Sequence, residues 1–190
     1  MKACLRLLKK NKCDTITSQL LILIMNIFAA YADPIKSAII LDDQRLIKMT
    51  LESCQMLASA AASQSMWVEG FPKPSHLNHP ATKWVRERRD NFEWLLTYTK
   101  ALDAERKRRW GHDRSHVTLE SCVKNKIHLV ARTLKRGSTP FVNCARNKEL
   151  GIDYTDIADI HLAYRLYLAD RWMLQAKPAQ CCVKGILGTW

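Results

Sequence analysis

The stretch that decides the fold is IILDDQRLIKMTLESCQMLASAAA, residues 39–62. Its apolar side chains recur at three- and four-residue steps, which is the period of a helix that buries one face. The buried line is Leu46, Met49 or Thr50, Ser53 or Cys54, and Leu57. The spacing therefore predicts a helix over residues 39–62 with this line in the core.

The opposite face of this helix carries a polar stripe. Arg45, Lys48, Glu52 and Gln55 follow one another at three- and four-residue steps, so their side chains lie on one side. A carboxylate held between cations on a rigid helix can act as a proton acceptor or charge stabiliser beside a bound polyanion. The same stripe is also typical of a solvated helix face, where a Lys48–Glu52 pair adds only about 0.2–0.5 kcal/mol.

Three more segments show a helical period. They are a helix from Pro80 to about Trp110 that stops at Gly111, a helix over 117–136, and a helix that opens at Thr155 and Asp156 and ends near Leu174. Residues 63–79 and 138–153 are predicted to be mainly loop. Four helices with long loops and little strand signal predict a mostly α, single compact domain over residues 25–176.

The two ends of the chain are set apart from this domain. Residues 1–24 are basic and lead into an apolar run that ends at Ala32, which suits either an extension from an upstream start codon or a secretory signal. We favour the extension, and with it a cytoplasmic protein. Residues 177–190 form a C-terminal tail. Seven cysteines without a C-x-x-C pair indicate free thiols in a reducing compartment.

The net charge of +12 is concentrated in the middle of the chain, where residues 83–136 hold fifteen Lys and Arg against seven Asp and Glu. A localised positive field favours a polyanionic partner, and we predict double-stranded DNA rather than a membrane. No protein partner is predicted, and the chain is expected to be a monomer. The candidate DNA contacts are Gln44, Arg45, Arg86, Arg88, Arg89, Arg108 and Arg109.

Histidines form two near pairs, His76 with His79 and His112 with His116. A metal site needs three or four converging ligands, and no further ligand is evident near either pair. No glycine-rich phosphate loop occurs. The sequence therefore predicts neither a metal nor another cofactor.

Two runs of sequence resemble a known family. MNIF (residues 25–28) followed by LDDQRLIKMTLESCQML (residues 41–57) is similar to the amino-terminal region of the pyrimidine-dimer DNA glycosylase and AP lyase family, the phage endonuclease V type. The L-x-D-Q-x-L pattern of that family falls on Leu41, Asp43, Gln44 and Leu46, and its essential glutamate falls on Glu52. NHPATKWVRERRDNFEWL (residues 78–95) resembles a helix of shorter, phage-encoded relatives.

The resemblance implies a reaction mechanism. In the family, an amine attacks the anomeric carbon of a damaged, extruded nucleotide, and the resulting Schiff base allows strand cleavage by elimination. That amine is the terminus uncovered by methionine removal, which would be Asn26 here, and Glu52 would stabilise the sugar cation. Lys48 is an alternative amine. The family's histidine after the glutamine is Arg45 in this chain, and its arginine before the glutamate is Leu51.

The resemblance therefore implies an N-glycosylase, with possible AP lyase activity, that acts on damaged or modified pyrimidines. Two alternatives remain open. One is a base-modifying transferase built on the same scaffold, because a shared fold does not fix the reaction. The other is a non-enzymatic, basic, helical DNA-binding protein in which Glu52 is structural.

Overall fold

The structure is a computed structural model and describes residues 26–175. Helices account for most of this range, and a two-stranded antiparallel hairpin is the one sheet within it. The prediction of a mostly α domain is confirmed. In chain order the elements are α1 (Pro34–Ile39), α2 (Asp43–Ser63), α3 (Pro80–Glu87), α4 (Arg89–Trp110), α5 (Val117–Lys124), a 3₁₀ helix (Ile127–Thr133), β1 (Arg146–Asn147), β2 (Ile152–Asp153) and α6 (Ile160–Leu174).

Helix α2 buries the predicted apolar line, because Leu46, Met49, Cys54 and Leu57 are all in the core. Its start differs from the prediction. Asp42 caps the helix by accepting a hydrogen bond from the Arg45 amide at 3.1 Å, and this cap separates α2 from the short helix α1. Helix α2 then packs against α3, α4, α5 and the 3₁₀ helix, and together with α4 it forms the centre of the described domain.

The prediction of one helix from Pro80 to Trp110 is wrong at a single residue. Arg88 has an extended backbone (φ −140°, ψ 153°), so the segment divides into α3 and α4. The cause is a neighbouring loop that supplies hydrogen-bond acceptors for the first amides of α4. The Arg89 amide donates to the Lys135 carbonyl at 2.8 Å, and the Asp90 amide donates to the Gly137 carbonyl at 3.2 Å.

The prediction of one helix over residues 117–136 is also wrong. Helix α5 ends at Lys124, and a 3₁₀ helix follows after Lys126, whose backbone is left-handed (φ 56°). The Asn125 side-chain amide donates to the Ser121 carbonyl at 2.9 Å. Because asparagine side chains compete in this way for backbone groups, the regular helix stops here.

The last helix starts later than predicted. Thr155 donates to Asp153 Oδ1 through its amide (3.1 Å) and its hydroxyl (2.6 Å), which holds residues 153–155 in a turn. Asp159 then caps α6 at Ile160 by accepting from the Leu162 amide. Residues 138–153, predicted to be mainly loop, contain the β1–β2 hairpin, in which Arg146 pairs with Asp153.

Residues 26–30 run through the core without forming a strand. Helix α6 holds them in place, because His161 Nδ1 lies 2.7 Å from the Ala29 carbonyl and Arg165 donates to the Ala30 carbonyl at 2.8 Å. The Phe28 ring stacks on Tyr167, with ring centroids 5.8 Å apart. This buried segment is what brings the backbone of Asn26 to the face of α2 that carries Glu52.

The predicted extension (residues 1–24) and the tail (residues 177–190) lie outside the described residues, as does Met25. Within residues 26–175, no helix combines the length and the hydrophobicity that are needed to cross a bilayer.

Candidate active site

Glu52 is buried in the middle of α2, with 2% of its surface exposed. The alternative of a solvated helix face therefore fails for this residue, although its neighbour Lys48 keeps 43% of its side chain exposed. The polar stripe is thus uneven. It runs from the solvent at Lys48 into the protein interior at Glu52. Burying an ionised carboxylate there costs free energy.

Two nitrogen donors face the Glu52 carboxylate. Lys48 Nζ lies 3.2 Å from Oε1, and the main-chain amide of Asn26 also interacts with the carboxylate. Neither carboxylate oxygen has a hydrogen-bond partner of good geometry among the described residues. Burial raises the pKa of Glu52 above its usual value, although Lys48, His76 and the Asn26 amide each act to lower it. The site therefore holds a poorly compensated carboxylate next to an amine.

Tyr98 of α4 lies on the inner side of this site. Its hydroxyl is fully buried and has no hydrogen-bond partner of good geometry in the described structure, and the same holds for the Ser53 hydroxyl. Burial raises the pKa of Tyr98, and the nearby charge of Glu52 raises it further. The sequence pattern did not single out Tyr98, because an aromatic residue next to the apolar line of a helix is typical of a core residue.

Asn26 is fixed by contacts on several sides. Its side-chain Nδ2 donates to the Cys144 carbonyl at 3.1 Å, while its Oδ1 accepts from the Tyr164 hydroxyl at 2.7 Å and from the Ile27 amide at 2.8 Å. Only 1% of Asn26 is exposed. The main-chain nitrogen of residue 26 is consequently held beside Glu52 by the side chain of its own residue.

The loop before α3 brings two histidines close to this site. His79 caps α3 through its ring, which accepts from the Ala81 amide at 3.2 Å. The charge of His76 acts on the pKa values of both His79 and Glu52. His76 was considered in the sequence only as a metal ligand. Among residues 26–175 no group of three or more His, Cys, Asp or Glu side chains could hold a metal ion.

Two of the predicted DNA-binding arginines make internal contacts. Arg109 is fully buried in its side chain and donates to the carbonyls of Leu41 (2.7 Å) and Ile39 (2.8 Å), as well as to Asp43 and Glu105. Arg89 donates to the Ala131 carbonyl at 2.9 Å. Both guanidinium groups therefore join α4 to neighbouring segments.

Arg45 is also enclosed. It pairs with Asp42 and donates to Gln175 Oε1 at 3.0 Å, and it is 5% exposed. Gln44, one residue earlier, is exposed. Arg108 pairs with Glu105 at 2.6 Å and keeps 54% of its side chain exposed. Only part of the predicted set is thus available on the surface.

Arg86 and Arg88 differ from these residues. Both are half-buried at the junction of α3 and α4, and neither guanidinium group makes a hydrogen bond or ion pair with any part of the chain from residue 26 to residue 175. The helical line that would place Arg88 toward the core is interrupted, because the helix breaks at this residue.

The remaining thiols and histidines have structural roles. Cys54, Cys122 and Cys144 are free, as predicted, while the other four cysteines lie outside the described residues. Cys54 and Cys122 contact each other in the core, and their hydrogen bond and burial raise the pKa of Cys54. His116 caps α5 by accepting from the Thr118 amide at 3.3 Å.

Comparison with known proteins agrees with the family resemblance seen in the sequence. Residues 25–118, which include Asn26, Lys48, Glu52, His76 and Tyr98, match the family model described as pyrimidine dimer DNA glycosylase. The match places this part of the chain among the DNA glycosylases of DNA repair. Over residues 25–118 the sequence is that of the pyrimidine dimer DNA glycosylase family, and this family membership implies a DNA substrate. Neither the curated proteins nor the solved structures yield a match.

Proposed function

We propose that this protein is an N-glycosylase with AP lyase activity on damaged pyrimidines, in which an amine attacks the sugar and Glu52 stabilises the charge that develops. One observation carries the proposal. Glu52 is a buried carboxylate (2% exposed) whose nearest charged neighbour is an amine at 3.2 Å and which also faces the main-chain nitrogen of residue 26. A buried carboxylate whose hydrogen-bond partners have poor geometry costs stability, which supports a functional reason for its presence.

The main-chain nitrogen of Asn26 is the first candidate nucleophile. If the polypeptide begins at Met25 and loses that residue, this nitrogen becomes an α-amine with a pKa of about 7.7–8.0, so a substantial fraction is uncharged near neutrality. Its attack on the anomeric carbon would give a Schiff base. Glu52 would stabilise the oxocarbenium-like sugar and accept protons from the attacking amine.

Lys48 is the second candidate nucleophile. Its Nζ lies 3.2 Å from Glu52 Oε1, and nearly half of its side chain is exposed, so it can meet a substrate without a rearrangement of the fold. The two amines predict different dependences on the start of the polypeptide. The Asn26 mechanism requires a free terminus at residue 26, whereas the Lys48 mechanism does not.

Arg86 and Arg88 are the strongest of the proposed DNA contacts. Guanidinium groups without internal partners can bind phosphates without losing bonds within the protein. Gln44 and Arg108 are exposed and are kept as additional contacts. The internal bonds of Arg45, Arg89 and Arg109 favour a structural role for these three residues.

Borohydride trapping tests the amine mechanism. The full chain and a chain beginning at Met25 would each be incubated with duplex DNA that contains a pyrimidine dimer or an abasic site, and covalent adducts would be counted after reduction. The Asn26 mechanism predicts adducts only when mass spectrometry shows a terminus at residue 26. Lys48→Met separates the candidates, because it abolishes trapping only if Lys48 is the nucleophile. No adduct from either chain would exclude the lyase.

The non-enzymatic alternative is separated by DNA affinity. If the protein only binds DNA, Glu52→Gln should leave affinity unchanged or raise it slightly, because an anion near phosphate is lost. In a glycosylase the same substitution should abolish base release while binding persists. Measuring both quantities on one variant therefore distinguishes a binding protein from an enzyme.

A further inference from the structure

His76 has a backbone conformation that non-glycine residues seldom adopt. Its φ is +50°, in the left-handed region. Strain of this kind persists only where the surroundings impose it, and it is concentrated at functional sites. The residue is exposed, so its ring can reach a molecule bound at the surface.

The strained residue is held against α2 by its neighbour. The Ser75 amide donates to Ser59 Oγ at 3.0 Å, and the single Ser59 hydroxyl proton lies between the Gln55 carbonyl (2.8 Å) and the Ser75 carbonyl (3.1 Å). Ser59 lies seven residues after Glu52, which is about two turns and about 10 Å along the same face of the helix. Both main-chain groups of Ser75 thus contact the side of α2 that carries Glu52.

The imidazole ring is also oriented. Its Nδ1 forms a short hydrogen bond with Ser75 Oγ. Its Nε2 makes no hydrogen bond with the residues that the structure describes. When Nδ1 is engaged in this way, Nε2 is the atom that can exchange a proton with a ligand. The charge of His76 acts on Glu52, which is consistent with the placement of the ring near the carboxylate.

We propose that His76 is the general acid that donates a proton from Nε2 to the departing pyrimidine in the base-removal step. This inference rests on the proposed glycosylase function and adds the group that neutralises the leaving base. Three other polar groups near the site are engaged in other contacts, so none of the three is assigned as the proton donor to the base. Glu52 is a carboxylate that stabilises the sugar, Lys48 is paired with it, and the His79 ring accepts a backbone hydrogen bond. A histidine loses its proton readily near neutral pH, which suits a general acid.

The step is balanced as follows. The bond between the sugar C1′ and the pyrimidine N1 breaks, and its electron pair leaves with the base. The imidazolium of His76 gives one proton to the base, which becomes neutral and, in a dimer, stays joined to the neighbouring pyrimidine. The amine forms a bond to C1′ and keeps one of its protons in the protonated Schiff base, while its other proton passes to the ring oxygen as the sugar opens. One positive charge is present before and after, since it moves from His76 to the Schiff base.

His76→Asn is the variant that tests this role. Asparagine accepts the left-handed backbone more readily than most residues, so the loop should keep its shape, but it cannot donate a proton in the same way. Glycosidic-bond cleavage at the dimer by the full-length protein, counted as pyrimidine freed after photoreversal of the dimer, should fall by about 100-fold. Strand cleavage and trapping at a pre-formed abasic site, which has no base to remove, should stay within a few-fold of the wild-type values. His128→Asn, an exposed histidine on the 3₁₀ helix, is the matched control and should change neither reaction.

A second variant tests the orientation of the ring. Ser75→Ala, which removes the Nδ1 contact but keeps the main-chain contacts with Ser59, should give a smaller loss.

Three results would overturn the inference. If His76→Asn acts on dimers at the wild-type rate, His76 is not the general acid, but the glycosylase proposal stands. The same conclusion follows if the variant loses activity equally at dimers and at abasic sites. A wild-type protein that neither releases bases nor cleaves abasic DNA would exclude the proposed function as well.

Discussion

Two glutamates of this protein have almost the same burial and opposite electrostatics. Glu105 on α4 is 4% exposed and Glu52 on α2 is 2% exposed, and each has a cation at the i+4 or i−4 position. Glu105 accepts hydrogen bonds from Arg108 (2.7 and 2.6 Å) and from Arg109 (2.7 Å). Glu52 has Lys48 at 3.2 Å and no hydrogen bond of good geometry.

The pKa values of the two groups reflect this difference. Burial acts to raise the pKa of Glu105, but the bonds from Arg108 and Arg109 outweigh it, and the pKa is lowered overall. For Glu52 burial prevails and the pKa is raised. A buried carboxylate with full partners stabilises a fold, whereas one without them costs stability and is retained for chemistry. The comparison therefore separates a structural glutamate from a candidate catalytic one.

The largest expected effect is on catalysis. Glu52→Gln should reduce base release from dimer-containing DNA by about 1,000-fold, equivalent to about 4 kcal/mol of transition-state stabilisation, because an amide cannot neutralise the sugar cation. Single-turnover glycosidic-bond cleavage, counted as pyrimidine freed after photoreversal of the dimer, measures this directly. Glu120→Gln, an exposed residue of α5, is the control and should stay close to wild type. A Glu52→Gln variant that retains wild-type activity would remove Glu52 from the mechanism.

Glu105→Gln should have the largest effect on stability. The change removes the acceptor of Arg108 and Arg109 and should lower the free energy of unfolding by about 2–3 kcal/mol, a value reduced for the partial exposure of Arg108. Because the pKa of Glu105 is lowered in the folded state, its stabilisation is present above the unfolded pKa of about 4.3 and is lost as the pH falls further. Urea unfolding at pH 7 and pH 3 should show a large difference from wild type at the first pH only.

The control for this experiment is Glu93→Gln, since Glu93 is exposed on the same helix. It should change stability by less than about 0.5 kcal/mol. Equal losses for Glu93→Gln and Glu105→Gln would contradict a specific role for the arginine contacts.

Glu52→Gln should change stability in the opposite direction. Removing a buried charge without good partners should stabilise the protein by about 1–2 kcal/mol at pH 7, which corresponds to a rise in Tm of about 2–8 °C. A carboxylate whose folded pKa is raised contributes most below its unfolded pKa and loses that contribution as the pH increases. The gain should therefore be seen at neutral pH and disappear below about pH 4. Destabilisation of Glu52→Gln at pH 7 would mean that Glu52 is as well satisfied as Glu105.

The sequence could predict those features of the site that depend on local helical spacing, but not those that depend on contacts between distant segments. The period of α2 was sufficient to locate Glu52 and its spacing from Lys48, since helical geometry is local. It did not predict that Glu52 is buried, because the residues that cover it come from distant parts of the chain, such as Asn26 and Tyr98. The break at Arg88 was missed for the same reason, since its cause is the loop at residues 135–137.

The arginines also divide into those with and those without internal partners. This difference leads to the smallest expected effect, a change in the salt dependence of DNA binding. The guanidinium groups of Arg86 and Arg88 have no hydrogen bond or ion pair within residues 26–175, whereas the Arg146 guanidinium pairs with Asp153 at 3.0 Å on the hairpin. If both unpaired arginines bind phosphates, Arg86→Gln with Arg88→Gln should reduce the slope of log K against log salt concentration by about 1.8, or about 0.9 for each contact. Fluorescence anisotropy with undamaged duplex DNA at several salt concentrations measures this slope. Arg146→Gln should leave it unchanged, and equal slopes for the double variant and the wild type would show that DNA binds elsewhere. Because neither arginine has internal bonds to lose, the double variant should unfold at the wild-type temperature, which would separate a binding defect from a folding defect.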